Sequence, residues 1–287
     1  MAVVRTSVRQ SVTSAPPAGR GRSVRLVPFL FGVAATLEHT RLPGPVLVTL
    51  LGDLGLTPPA ARALIARMRR DGQLAGARRG RVVDYELAGA FAESFHRVRT
   101  AATGAPWQGF FHTVLYQVPE RHRAFRDLLR RTGLFVGYGL LQPGVLISPA
   151  DRRDRLGAVL ARAPRDAHVQ FARLHMDTAA ALRAAHTAWD LGTLDRTYRR
   201  HARALRAALA RRATPPVPAG RTLRRFADLL SGPLVDTLRA TGLPAELAPA
   251  DWSLPDLRAA IQEVQRLYLP PSAAYLRHLL GDQRRCD

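Results

Sequence analysis

The chain has 287 residues, 47% of them hydrophobic, which is enough for two or three domains with real cores. All 43 cationic residues are arginine, and the net charge of +21 favours an anionic partner, nucleic acid more than a membrane. The only cysteine, Cys286, excludes disulfides within one chain and cysteine-rich zinc sites, so we expect a reducing, cytoplasmic location and no metal or cofactor.

The first segment, residues 1–22, is rich in Ser, Ala, Pro, Gly and Arg and predicts a disordered basic arm. Helices are expected at 24–39 and 44–53. Arginines before the apolar run 26–37 superficially resemble a secretory signal, but the run has no convincing cleavage site and is too short to span a bilayer. We therefore expect a core helix, which either starts at Pro28 or is kinked there.

A capped helix follows. Thr57 is an expected N-cap, prolines fit the first turn, and Gly72 ends the helix. The 3.6-residue period places four apolar residues on one face: Ala61, Leu64, Ile65 and Met68. The opposite face carries sparse arginines between small residues, which suits a major groove.

A basic hairpin comes next, with strands predicted at 74–78 and 82–87 around Arg79-Gly80-Arg81. Arginines at a hairpin tip suit phosphate or minor-groove contact. An ordinary helix and hairpin with a solvated basic face is the alternative, but the order of the parts favours a winged helix-turn-helix. The expected DNA-binding residues are Thr57, Pro59, Arg62, Ala63, Ala66, Arg67, Arg69, Arg70, Arg78, Arg79 and Arg81.

The pattern changes after a helical stretch at 88–100 and a Thr-Gly-Ala-Pro boundary at 103–106. The predicted elements are a strand at 109–118, a helix at 120–132, strands at 134–141 and 144–148, a helix at 151–161 and a strand at 168–172. This β-α-β-β-α-β order is that of a ferredoxin-like domain. Tail helices are expected at 177–190, 191–212, 221–242 and 254–280. We predict an α+β protein with a DNA-binding domain at 23–100, a dimerisation domain at 104–174 and a helical domain at 175–287.

Three separated groups of residues resemble the PaaX-type transcriptional repressors. They are Ala61–Met68 with Asp71–Leu74, Gly80-Arg81 and Tyr85; Trp107–Gly109 with Val118–Arg121, Gly137–Gly139 and Gly144–Pro149; and Ala188–Leu191 with Tyr198 and Leu243–Trp252. The resemblance implies a homodimeric repressor whose middle domain is similar to CRISPR-associated ferredoxin-like nucleases.

Such nucleases place a metal-binding carboxylate at the end of their first strand, where this chain has Gln117. An amide binds divalent cations much more weakly than a carboxylate, so we expect no enzyme activity. The arginine-rich helix at 120–132 is either a solvated face or a surface that contacts coenzyme or DNA.

Aromatic residues of the tail, Trp189, Tyr198 and Trp252, are expected either to pack structurally or to line an effector pocket against the middle domain. The resemblance suggests an acyl-coenzyme A or aromatic acid effector. Our leading hypothesis is a homodimeric repressor that binds double-stranded DNA at an inverted-repeat operator and is released by the effector. The alternative is an architectural nucleic-acid-binding protein without a ligand switch.

Overall fold

The computed structural model describes residues 18–89, 92, 106–212, 214–237 and 242–286. The arm predicted over 1–22 therefore falls mostly outside the described residues, as does most of the helix expected at 88–100. Residues 18–22 belong to the first helix.

The N-terminal part, which we call the reading head, contains three helices and three strands. These are α1 (Ala18–Ala35), β1 (Leu42–Pro43), α2 (Gly44–Asp53), α3 (Pro58–Arg70), β2 (Leu74–Arg79) and β3 (Val82–Leu87). The strands form an antiparallel sheet in the order β1-β3-β2. α1 runs through Pro28 instead of starting there, and its apolar residues, Val27 and Leu30 among them, are buried as a core helix requires. This is the architecture of a winged helix-turn-helix.

The middle domain is a four-stranded sheet with helices. Its elements are β4 (Phe110–Gln117), α4 (Arg123–Val136), β5 (Gly139–Gln142), β6 (Val145–Ser148), α5 (Gly157–Leu160) and β7 (His168–His175). The strands are all antiparallel, in the order β5-β6-β4-β7. That order is ferredoxin-like, so the predicted fold class is confirmed.

The second helix of this domain is shorter than the sequence predicts. A helix was expected over 151–161, but a 3₁₀ turn at Arg153–Leu156 leads into the single-turn α5. Asp151 accepts a hydrogen bond from the backbone N–H of Arg153 at 3.1 Å, and this local bond holds a turn where the helix was expected to begin. The strand β7 is also longer than expected and ends at His175.

The C-terminal part consists of α6 (Thr178–Ala188), α7 (Leu191–Ala210), α8 (Gly220–Thr237) and α9 (Leu254–Cys286). Aspartates cap the first two of these helices: Asp177 accepts from the Ala180 N–H at 2.7 Å, and Asp190 accepts from the Thr193 N–H at 3.4 Å. α9 continues through Pro270 and Pro271.

One hydrophobic core joins the reading head to the tail, by which we mean α7, α8 and α9. Buried residues of α1–α3 pack in the same cluster as Tyr198, Phe226 and Leu257. The Phe226 ring lies 5.1 Å from the ring of Phe29 in α1 and 6.2 Å from that of Tyr268 in α9. Burying one large apolar side chain stabilises a fold by about 1.5–3 kcal/mol, so the tail supplies much of the reading head's stability.

The middle sheet has separate cores on its two faces. One core lies between the sheet and α4, with Val114 and Leu129 fully buried. The other lies between the sheet and α6, where Phe111 packs on Trp189. The sheet therefore connects to the rest of the chain mainly through α6.

Candidate nucleic-acid interface

The helix α3 begins and ends as its sequence predicts. Thr57 has extended backbone angles and accepts a hydrogen bond from the Ala60 N–H at 3.4 Å. After Asp71 the chain passes through Gly72 at φ +68°, and the N–H groups of Gly72 and Gln73 bond back to the carbonyls of Arg69 and Met68. α3 is thus capped at both its N-terminus and its C-terminus.

The two faces of α3 separate sharply. The four predicted apolar residues, Ala61, Leu64, Ile65 and Met68, are buried. The opposite side is exposed and consists of Pro59, Arg62, Ala63, Ala66, Arg69 and Arg70. Arg67 is half-buried. Among the described residues no carboxylate pairs with Arg62 or Arg70, so both guanidinium groups remain available to an anionic partner.

The hairpin of β2 and β3 has the shape of a wing. Its register pairs Arg79 with Val82, so Gly80 and Arg81 form a two-residue turn, and Gly80 has the positive φ of +60° that glycine adopts at the first position of such turns. Arg81 is exposed at this tip. Arg78 donates to the Gly80 carbonyl at 3.3 Å.

One wing arginine is already paired. The Nε of Arg79 donates to Asp84 Oδ2 at 2.8 Å, across a diagonal of the hairpin. The second oxygen of Asp84 is buried without a hydrogen-bond partner. Arg79 and Arg81 therefore differ, although the sequence suggested the same phosphate-binding role for both.

Tyr85 fixes the wing against the helices. Its ring fills the space beside Gly44 and Gly76, where a Cβ atom would lie 3.2 Å from ring carbons. The guanidinium carbon of Arg69 lies 5.9 Å from the ring centroid. Arg41 also pairs with Glu86 at 2.9 Å. The wing thus packs against the start of α2 and lies beside α3.

The structure adds an arginine that sequence reasoning missed. Arg224 of α8 lies against the turn between α2 and α3, where a Cβ at Gly55 would be 3.4 Å from its Nη2 atom. Tyr275 of α9 donates to Asp53 Oδ2 at 2.8 Å and holds the same turn to the tail. Burial and this hydrogen bond raise the pKa of Tyr275 to about 12, so its hydroxyl stays a donor. No local pattern signals this contact, because it joins residues far apart in the chain.

Gln117 lies at the exposed end of β4, opposite His168, as expected. Within the described ranges no group of three or more His, Cys, Asp or Glu residues is placed to hold a metal ion. None of the helices in those ranges is long and apolar enough to cross a membrane.

Comparison with known families decides the identity. The model of the PaaX-like protein family matches residues 22–91, and the model of the PaaX protein central Cas2-like domain matches residues 104–185. The chain belongs to the PaaX family. PaaX-family proteins are transcriptional regulators, and this chain is accordingly a DNA-binding regulator.

A solved structure shares the fold of this PaaX-family chain. It is the uncharacterized protein Rv0674 from Mycobacterium tuberculosis, with 22% sequence identity and a TM-score of 0.55 over 88% of this chain and 99% of that one. Comparison with curated proteins gave no significant match.

The three aromatic residues expected near an effector lie in packed surroundings. The rings of Tyr198 and Trp252 meet edge to face at 5.2 Å, and the Tyr198 hydroxyl donates to the Asp236 carbonyl at 3.0 Å. Trp189 lies in the core under the middle sheet, and Trp252 touches both that core and the one of the reading head. The three side chains therefore mark the junction between the middle domain and the tail.

Proposed function

We propose that this PaaX-family regulator is a homodimeric repressor that occupies an inverted-repeat operator and leaves it when a small-molecule effector binds. The observation that carries the DNA-reading part is the outer face of α3. It offers Arg62 and Arg70 between small residues, with no carboxylate among the described residues to compete for them. Arginine on such a face can reach guanine O6 and N7, and alanine can meet a thymine methyl.

The surrounding cations supply the sequence-independent share of the affinity. Arg81 is exposed at the wing tip and Arg224 flanks the turn before α3. We propose that both neutralise phosphates on either side of the helix. The Arg69 guanidinium of α3 lies 5.9 Å from the Tyr85 ring centroid, so α3 and the wing are neighbours. We propose that the helix and the wing dock as one unit.

Dimerisation is proposed through the middle domain. β7 is an edge strand of eight residues in the sheet order β5-β6-β4-β7, so one side of it has no strand partner in the described chain. Long open edges favour pairing with a second chain. Pairing of the β7 strands of two chains would relate the chains by a two-fold axis. Two α3 helices related by that axis match the two-fold symmetry of an inverted repeat.

Effector release is proposed at the junction marked by Trp189, Tyr198 and Trp252. Trp252 contacts both the core of the reading head and the core beneath the middle sheet, so a ligand that shifts it would change the spacing of the two heads. An effector changes occupancy only by its differential affinity for the bound and free conformations. An acyl-coenzyme A thioester or an aromatic acid is the ligand class we propose.

Footprinting of the full-length chain on the DNA upstream of its own gene tests the proposal. We expect two protected half-sites on the same side of the duplex, spaced by about 10 base pairs or a multiple. One protected half-site bound by a monomer would overturn the dimer. Protection without sequence preference would favour the architectural alternative.

A further inference from the structure

A surface pocket of about 210 Å³ lies in the middle domain, outside the DNA-reading surface. Its lining residues are His112, Thr113, Tyr138, Arg153, Phe171, Ala172 and Arg173. It opens on the sheet face that also carries α4, because His112 and Phe171 alternate with residues that point to α6. The pocket is not part of the proposed DNA-reading surface, but three of its residues, Phe171, Ala172 and Arg173, are exposed on β7, the strand proposed for dimerisation.

The floor of the pocket holds an unsatisfied polar group. Tyr138 is 1% exposed and its hydroxyl is buried; the backbone N–H of Arg152 approaches its oxygen, but no acceptor among the described residues receives its proton. A buried hydroxyl without a partner costs about 1–3 kcal/mol, which a bound acceptor would recover. Burial raises the pKa of Tyr138 to about 12, so this hydroxyl is a neutral donor at any physiological pH.

Two guanidinium groups flank the pocket above aromatic rings. Arg173 lies 4.8 Å from the Phe110 ring centroid, and no carboxylate within the described ranges pairs with it. Arg153 lies 5.9 Å from the Phe171 ring centroid and pairs with Asp151 at 2.7 Å. Asp151 also lies 3.9 Å from His112 of the pocket, and Arg153 offsets its charge.

A further cation lies directly behind Tyr138. Arg152 is 7% exposed, and its hydrogen bonds go to the Ser148 hydroxyl and the Val136 carbonyl, at 3.0 Å each, and not to a carboxylate. Burial lowers the pKa of Arg152, which expresses the cost of keeping this charge away from water. Arg152 and Arg173 carry positive charges that no carboxylate in the described ranges pairs with, while the charges of Arg153 and Asp151 offset each other. The pocket therefore favours a negatively charged ligand.

We propose that this pocket binds the oxyanion of a small molecule, a carboxylate or a phosphate group, with the Tyr138 hydroxyl and the Arg173 guanidinium as donors. The exposed Phe171 ring receives the apolar part of the ligand. Both proposed donors are among the residues that line the pocket.

The pocket has a direct connection to the effector junction. Gly139, the residue after Tyr138, begins β5, and a Cβ atom at Gly139 would lie 2.8 Å from the indole of Trp189. Tyr138 therefore faces the pocket while the next residue supports Trp189 on the opposite face of the sheet. That occupancy of the pocket regulates DNA binding rests on the proposed function, whereas ligand binding itself does not.

Isothermal titration of the full-length protein with sodium benzoate, sodium acetate, sodium phosphate and uncharged benzamide tests the site. We expect saturable binding of an oxyanion and none of benzamide. Preference for benzoate assigns a carboxylate ligand, and preference for phosphate assigns a phosphate. Binding of none of the three anions would overturn the proposal.

Variants separate a ligand role from a structural one. Tyr138→Phe and Arg173→Gln should each lower the affinity for the anion about tenfold or more, because each removes a hydrogen bond to a charged ligand. Arg162→Gln, at an exposed position away from the pocket, should leave binding unchanged. Without ligand, Tyr138→Phe should melt close to the parent, since its hydroxyl donates to no acceptor among the described residues.

Two results decide the remaining questions. Unchanged anion binding by Tyr138→Phe would overturn the site. Anion binding that is equal with and without operator DNA would leave the site standing and remove only its regulatory role, because linkage requires coupled ligands to weaken each other equally.

Discussion

The reading head and the middle domain are both rich in arginine but hold it differently. In the middle domain, arginines near α4 are tied to carboxylates: Arg121 pairs with Asp166, Arg126 with Glu120 at 2.8 Å, and Arg123 with Asp127 at 3.8 Å. The hydrogen bond from Arg126 lowers the pKa of Glu120. On α3 no such pair occurs within the described residues. Positive composition alone therefore does not distinguish the two regions, whereas the pairing of the arginines does.

The two regions also differ in what stabilises them. The core between the middle sheet and α4 is made of residues from the middle domain itself. The core of the reading head is completed by the tail, through contacts such as Phe29 with Phe226. The DNA-reading surface should therefore respond to changes in the tail, far from any nucleotide.

The largest expected effect tests that dependence. Phe226→Ala should destabilise the protein by about 3–5 kcal/mol, since it empties a site between α1, α8 and α9. Urea unfolding measures the loss, and operator binding should fall at temperatures where the parent still binds. Val217→Ala, at a position that is 47% exposed, is the control and should change stability little. If the Phe226→Ala protein loses this stability but keeps full operator affinity, the folding of the reading head does not depend on the tail.

The next effect compares an uncompensated arginine with a paired one. Arg62→Ala should weaken operator binding by about 1–3 kcal/mol and relax the sequence preference at one position per half-site. Arg126→Ala is the matched control and should leave DNA binding unchanged, because the Arg126 guanidinium already forms an ion pair with Glu120. Titrations on operator and scrambled duplexes measure both. Equal losses of Arg62→Ala on the two duplexes would show that Arg62 contacts only phosphate.

A smaller effect tests pairing inside the reading head. Asp84→Asn releases Arg79 from its ion pair, so DNA binding should strengthen and its logarithmic salt dependence should steepen by about one. Arg81→Ala should reduce the same slope by about one. Affinity measured against salt concentration gives both values. A weaker Asp84→Asn complex would mean that the pair positions the wing and does not merely withhold a charge.

The smallest effect concerns the arginine contributed by the tail. Arg224→Ala should weaken operator and scrambled DNA alike, by about 0.5–1 kcal/mol, as loss of one phosphate contact would. Arg203→Ala, exposed on α7, is its control. A loss confined to the operator would assign Arg224 a base contact.

The sequence could predict α3 and the wing because their signals are local. A cap at Thr57, a 3.6-residue apolar period and a glycine after Asp71 determine which side of the helix is buried, whatever it packs against. The ferredoxin-like order of the middle strands was equally readable from alternation and length.

Other features depend on residues that meet only after folding. Three features depend on contacts between segments that are far apart in the chain. They are the shared core of Phe29 and Phe226, the position of Arg224 beside Gly55 and the burial of the Tyr138 hydroxyl. The pairing of Arg79 with Asp84 lies within one hairpin, but it depends on a register that composition alone does not show. A 3₁₀ turn at Arg153–Leu156 takes the place of the first turns of the helix that the sequence predicted, which leaves α5 short.

The joint core of α1–α3 and the tail also sets an order of events during synthesis. The helix that completes this core, α9, spans Leu254–Cys286 and follows α1–α3 by a long stretch of chain. Domains of a growing chain generally fold in turn from the N-terminus, but here the apolar side of α1–α3 is covered only after α9 has been made. A nascent chain therefore completes the core beneath its reading head only after α9 has emerged from the ribosome.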